Sequence, residues 1–270
     1  MAGFAFDFVP LPAERSMEKP RTSGITMMID KGETIEYLQG LLRMSGPFID
    51  LGKIAVGTSR LYLEDYYREK LELFKSHEVK PFIGGQFLEF IFATQGWGGV
   101  HPYFEAAAEY GVEAIEISDN CVSLSDNERE RMVRSAVDAG LEVHGEVGSK
   151  TGKQDVAELI SQANICMDAG ASVVLFEAAE LMPGGEADRA LIDSIRDRMD
   201  VRKVIFELPG WWIEGTTNNV IYELQKFLLT EFGPDVNIGN VPPWMTFNLE
   251  ALRCGLSSVG PTERTFESAG

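Results

Sequence analysis

The sequence predicts a single-domain α/β fold, a closed parallel (β/α)8 TIM barrel, on three observations. Eight short runs of apolar and β-branched residues recur along the chain, their starts 27–33 residues apart. Stretches with helical periodicity fill the gaps between them. The 270 residues suit one domain of this size with a full core. A doubly wound open sheet is the competing architecture, but it usually carries a glycine-rich phosphate fingerprint after its first strand, and here that turn reads DKGETIE. No Pro/Gly/Ser linker divides the chain. The barrel is therefore placed at residues 24–256, between a lead-in segment (1–23) and a tail (257–270).

In chain order the predicted strands are ITMMID (25–30), GKIAVG (52–57), PFIGG (81–85), EAIEIS (113–118), EVHGEV (142–147), SVVLFE (172–177), KVIFEL (203–208) and VNIGNV (236–241). The helical patterns between them include TIEYLQGLL, DYYREKLELF, NERERMVRSAVDAG, DVAELISQANICMDAG and VIYELQKFLLTEFG. Several end in the glycine stop of a helix C-terminus, at Gly111, Gly140 and Gly170, and Pro47 and Pro234 follow helices in the same way. Phe4, Phe6 and Phe8 alternate in the lead-in, as in a short strand or a packed extended arm.

Composition narrows the partners. With 24 Lys+Arg against 42 Asp+Glu the formal charge is −18, which argues against nucleic acid or an anionic membrane. Cys121, Cys166 and Cys254 lie far apart with no CxxC and no His at zinc spacing, as free thiols in a reducing compartment would. The N-terminus lacks the basic and apolar regions of a signal peptide, and no stretch approaches about 18 apolar residues. A cytoplasmic protein is expected, and a homo-oligomer is compatible with the sequence.

Active sites of such barrels sit at the C-terminal ends of the strands, and side chains alternate along a strand, so parity sorts the two faces. Ile54 and Val56 are expected to face the helices, which turns Lys53 and Ala55 inward. Ile115 and Ile117 outward send Glu116 and Ser118 inward; Val143 and Val147 outward send His144 and Glu146 inward. The same reasoning turns Glu177 and Glu207 into the barrel, opposite Val174 and Phe176, and Val204, Phe206 and Leu208. Four consecutive strands thus each supply a glutamate at or near the rim. Lys53 joins them, and Lys31 and Lys150 lie just beyond strands one and five.

One inward glutamate is readily explained as a structural ion pair; four, with lysines converging on them, are not. Buried charges must be paired or bind metal. Carboxylates without His or Cys ligands suit a hard cation such as Mg2+. Lysines beside it would bind an anionic substrate or donate a proton. The expected chemistry is formation or protonation of an enolate-like carbanion. Of the rest, His144 reads as a core imidazole, and His77, His101 and the run NERERMVR as surface. Gly32, Gly84 and Gly85 give backbone freedom near a ligand. The aromatic GWW (210–212) and PPW (242–244) either line a pocket or cover the rim.

These residues lie in segments that together resemble the phosphosulfolactate synthase family: PRTSGITMMIDKG, FIDLGKIAVGTS, PFIGGQFLEF, EAIEISDN, EVGSK, DAGASVVLFEA, RKVIFELP, VNIGNV and LEALRCGL. The similarity runs from about residue 20 to 256. It implies a (β/α)8 lyase that adds sulfite to phosphoenolpyruvate with Mg2+, giving (2R)-phospho-3-sulfolactate on the way to coenzyme M. Lys150 matches the family lysine that protonates the enolate, and with Glu146 is the candidate catalytic pair. Lys31, Lys53, Gly84, Gly85, Asn237 and Arg253 are candidate substrate-binding residues; Glu116, Asp119, Glu177 and Glu207 are candidate metal ligands.

The chain departs from the family in reading Glu177-Ala178-Ala179, where an acidic residue is commonly followed two positions later by an arginine. It departs again in the tryptophans of ELPGWWIEGTT and in a basic cluster reduced to Arg253. The alternatives are a related enzyme that adds a different nucleophile to phosphoenolpyruvate or a similar unsaturated acid, a Schiff-base aldolase using Lys150, and a non-catalytic relative of the plant heat-stress branch.

Overall fold

A computed structural model describes residues 4–11, 15–148 and 156–256. Eight strands close into a parallel barrel in sequence order: β1 (Thr26–Asp30), β2 (Leu51–Ile54), β3 (Lys80–Ile83), β4 (Ala114–Ile117), β5 (Glu142–Val147), β6 (Val173–Glu177), β7 (Val204–Glu207) and β8 (Asn237–Val241). Closure pairs Thr26 of β1 with Ile238 of β8. The helices are α1 (Ile35–Ser45), α2 (Glu64–Ser76), α3 (Gln86–Gln95), α4 (Trp97–Tyr110), α5 (Asp126–Asp138), α6 (Val156–Ala169), α7 (Arg189–Arg198), α8 (Asn218–Phe232) and α9 (Thr246–Arg253). The gap after β3 holds two helices, because Gly96 at φ 58° and ψ −153° breaks the run between α3 and α4.

Local chemistry starts these helices. The Thr34, Asp188 and Thr217 side chains accept from the backbone N–H three residues on, and Ser125 with Glu128 forms a reciprocal capping box. Ile54, Ile115, Ile117, Val143, Val174, Phe176 and Phe206 all join the apolar layer between barrel and helices. Inside the barrel a smaller cluster holds Met27, Leu51, Phe82, Ala114, Val173, Leu175 and Ile205. Near the C-terminal strand ends the inward positions are instead charged: Lys53, Glu116, Glu146, Glu177 and Glu207, all buried.

Val56 departs from its expected outward packing. β2 ends at Ile54, so strand parity no longer governs Val56, which sits at φ 50° and is exposed. The lead-in is tied to the barrel by Arg15 on Glu250 of α9 and by Arg21 on Asp50 at 2.8 Å. The tail lies outside the described residues. Cys121, Cys166 and Cys254 are not joined in disulfides. Among the described residues no helix is long and apolar enough to cross a membrane.

Candidate active site

The site begins with register. Glu177 and Glu207 are directly paired positions on β6 and β7, and Glu207 faces Gly239 on β8. Like charges directly opposite one another on paired strands are destabilising, so this arrangement calls for a cation. Glu146 completes a trio on three successive strands. Carboxylate oxygens of Glu146, Glu177 and Glu207 lie within 4.8 Å of one another, and all three residues are buried. An all-oxygen set at this spacing fits a hard divalent cation; no His or Cys takes part.

Lys53 anchors the other side. Its Nζ lies 2.6 Å from Oε2 of Glu116 and 2.6 Å from Oε1 of Glu207. Burial alone would push this ammonium down, but Glu116, Glu207 and Glu146 outweigh it and hold Lys53 above its ordinary range. Gly84 and Gly85 border this pair. A Cβ on Gly84 would stand 3.1 Å from Cε of Lys53, and one on Gly85 would collide with Oγ of Ser118 and stand 2.9 Å from Oε1 of Glu116. Both glycines thus leave space for buried charge.

Asp119, in the loop after β4, turns to Arg129 of α5 at 2.6 Å, and the same guanidinium donates to the Glu146 carbonyl at 3.2 Å. Asn120 donates to Oε2 of Glu146 at 2.7 Å. Glu89, from the first turn of α3, accepts from the Ser118 hydroxyl and the Cys121 N–H. Sequence reasoning did not single out Asn120 or Glu89: Asn120 lay in view, adjoining Asp119 in the strand-four segment, whereas Glu89 sits on a helix that parity does not address. Arg129 corrects the surface reading of NERERMVR, because it is buried against Asp119 and the Glu146 carbonyl. Lys31 follows β1 and places Nζ 3.3 Å from the ring centroid of Trp212. Lys150 lies outside the described residues.

Two expected substrate-binding residues are at the opposite end of the barrel, which corrects their placement at the mouth. Asn237 opens β8, and its amide donates to the Arg202 and Val204 carbonyls while its oxygen accepts from Ile25 N–H. Arg253 is buried and donates to the carbonyls of Pro234, Val236 and Ile25, all preceding a strand. Both close the base of the barrel. A cavity of about 240 Å³ at that end is lined by Lys80, Glu142 and His144 among others, with His144 Nε2 2.9 Å from Glu142. His144 is therefore a buried imidazole lining the base cavity, one inward position before Glu146 on β5.

A closed parallel barrel with clustered carboxylates and lysine at the C-terminal strand ends defines a barrel enzyme. Residues 14–258 match the (2R)-phospho-3-sulfolactate synthase (ComA) family, and the chain belongs to that family of enzymes. It is 32% identical over 263 residues to the phosphosulfolactate synthase of Methanothermobacter thermautotrophicus, covering 93% of this chain and 95% of that protein. To the phosphosulfolactate synthase of Methanocaldococcus jannaschii it is 30% identical over 244 residues, covering 86% and 92%. Among solved structures, 3-hexulose-6-phosphate synthase from Salmonella typhimurium superposes with a TM-score of 0.53 at 14% identity, over 86% of this chain and 95% of that one. That likeness shows the fold alone.

Proposed function

We propose that the protein catalyses Mg2+-dependent addition of sulfite to phosphoenolpyruvate, giving (2R)-phospho-3-sulfolactate. The observation that carries this reading is the meeting of Glu146, Glu177 and Glu207 at the strand ends, in a chain that matches the synthase family over residues 14–258. Glu146, Glu177 and Glu207 would hold the metal, with Glu116 and Asp119 beside them. Mg2+, when bound, supplies a positive charge that stabilises the negative charge building on the substrate carboxylate.

Joining two anions first requires their repulsion to be offset. Lys31 gives an ammonium at the mouth for phosphate or carboxylate oxygens. Lys53 keeps a positive charge in the lumen, 2.6 Å from both Glu116 and Glu207. As the sulfite sulfur bonds to the methylene carbon, the electron pair of the double bond moves onto the adjoining carbon and its carboxylate. Lys150 Nζ delivers a proton to that carbon, and the product leaves with phosphate still attached. Asn120 and the Arg129 guanidinium keep Glu146 in place.

The test is direct: purified protein with phosphoenolpyruvate, sulfite and Mg2+, with mass detection of phosphosulfolactate. Product formation that is lost in Lys150→Ala is expected; no product from folded protein overturns the reading. A second reading rests on Ala179, which is exposed just after Glu177 where the family pattern commonly has arginine. A guanidinium binds oxyanions bidentately, and without it a less charged nucleophile could replace sulfite. Tight phosphoenolpyruvate binding without sulfite turnover would favour that reading.

A further inference from the structure

We infer that Glu89 is the positioning residue for Asn120, fixing the loop after β4 so that the Asn120 amide orients Glu146 for the proposed metal. This deepens the metal reading of Glu146, Glu177 and Glu207 and rests on it. Glu89 lies in the first turn of α3 and is buried. Its two carboxylate oxygens accept from the Ser118 hydroxyl and from the Cys121 N–H, which bracket Asp119 and Asn120. Arg129 holds Asp119 at 2.6 Å. Asn120, between these anchored neighbours, donates to Oε2 of Glu146 at 2.7 Å. The contacts thus run from α3, which follows β3, through the loop after β4 to β5, three neighbouring strands of the wall.

Stability does not explain Glu89. A buried carboxylate costs free energy unless a cation pairs with it. Among the described residues no Lys, Arg or His forms an ion pair with Glu89, whose partners are a hydroxyl and a backbone N–H. Its place in the first turn of α3, at the positive end of the helix dipole, offsets part of that cost. Gly85 permits the approach: the Glu89 N–H donates to the Gly85 carbonyl at 3.0 Å, and Gly85 lacks the Cβ that would collide with Ser118. What the arrangement secures is the conformation of residues 118–121. An amide donor orients a carboxylate and leaves its charge in place, and carboxylates that bind metal are in turn hydrogen-bonded. Because Glu89 acts through geometry, a side chain of the same shape can replace it. A glutamine oxygen accepts from the Cys121 N–H, and the Ser118 hydroxyl can turn to accept from the glutamine nitrogen.

The test compares wild type with Glu89→Gln, Glu89→Met, Asn120→Ala and the variant carrying both Glu89→Met and Asn120→Ala. Mg2+ affinity is measured by calorimetry without substrate, and amide hydrogen exchange is followed by NMR in metal-free protein. Affinity should stay within about threefold in Glu89→Gln. It should fall by about ten- to a hundredfold in Glu89→Met and in Asn120→Ala, with no further loss when the two are combined. The Cys121 amide should exchange faster in Glu89→Met and at the wild-type rate in Glu89→Gln. Ser118→Ala, which removes one of the two anchors, replaces Glu89→Met in every comparison should that variant not fold. Glu89→Gln binding Mg2+ as weakly as Glu89→Met, losses that add in the combined variant, or unchanged Cys121 exchange in Glu89→Met overturns the inference. If wild type binds no Mg2+, the metal reading falls and exchange alone decides: faster Cys121 exchange in Glu89→Met but not in Glu89→Gln upholds the positioning, and any other pattern overturns it.

Discussion

Lys53 on β2 and Glu207 on β7 meet at 2.6 Å although β1 and β8 stand between their strands around the wall. The pair crosses the lumen, and Glu116 of β4 shares the same ammonium. Replacing Lys53 with Met leaves two buried carboxylates without their shared counter-charge. Breaking one side of a buried pair costs about 3–5 kcal/mol. Denaturant unfolding of Lys53→Met should show a loss of that order and no synthase activity, whereas a change below about 1 kcal/mol would show that the lumen pair is not what balances these charges.

Glu142, at the start of β5, contacts Lys80 and the His144 imidazole. Burial would raise its carboxyl, but His144 and Lys80 bring it down to about 2 from an ordinary 4.5. A depressed carboxylate contributes stability that is fully present above the ordinary value and is lost as pH falls through the folded one. The window is therefore pH 4.5 to about 2. Glu142→Gln should be less stable at neutral pH and should lose less than wild type across that window. Parallel pH–stability curves for the two proteins would count against the assignment.

Gly85 lies where the last residues of β3 lead into α3, against Ser118 and Glu116. Gly85→Ala should displace both side chains, cost about 1–3 kcal/mol as an overpacked site and depress activity. Gly40, inside α1, has open space around the position of an added Cβ. Gly40→Ala should be neutral or stabilise by up to about 1 kcal/mol, with activity unchanged. Thermal melts of the two variants, run with the activity assay, separate the site effect from a general intolerance of substitution at glycine.

A cation bound by Glu146, Glu177 and Glu207 stabilises the folded chain by mass action. Millimolar Mg2+ should raise the wild-type melting temperature, and Glu177→Gln should abolish most of that rise. An equal rise in the variant would place the ion elsewhere.

Strand periodicity made the barrel readable. β5 coincides with its predicted run at 142–147, and the other strands fall within a few residues of theirs. Parity made the inward glutamates readable as well, because the helix-facing Ile, Val and Phe residues leave only one side for Glu116, Glu146, Glu177 and Glu207. What parity does not encode is height. Asn237 is the first residue of its strand and Arg253 the last of a helix that returns toward the strand starts, so both sit at the base. That direction was available from their positions within the elements. Side chains contributed by helices or loops, such as Glu89, Arg129 and Trp212 over Lys31, depend on packing between segments distant in sequence. Periodicity carries no trace of those contacts.

The proposed chemistry needs a divalent cation held by three glutamates beside a lysine-bound anion. Crystals grown with Mn2+ in place of Mg2+, with phosphoenolpyruvate present, allow the ion to be placed by anomalous scattering. The expected result is one strong peak at about 2.0–2.3 Å from carboxylate oxygens of Glu146, Glu177 and Glu207, with the ligand between it and Lys31. A peak remote from that trio, or ligand bound at the base of the barrel beside His144, would contradict it.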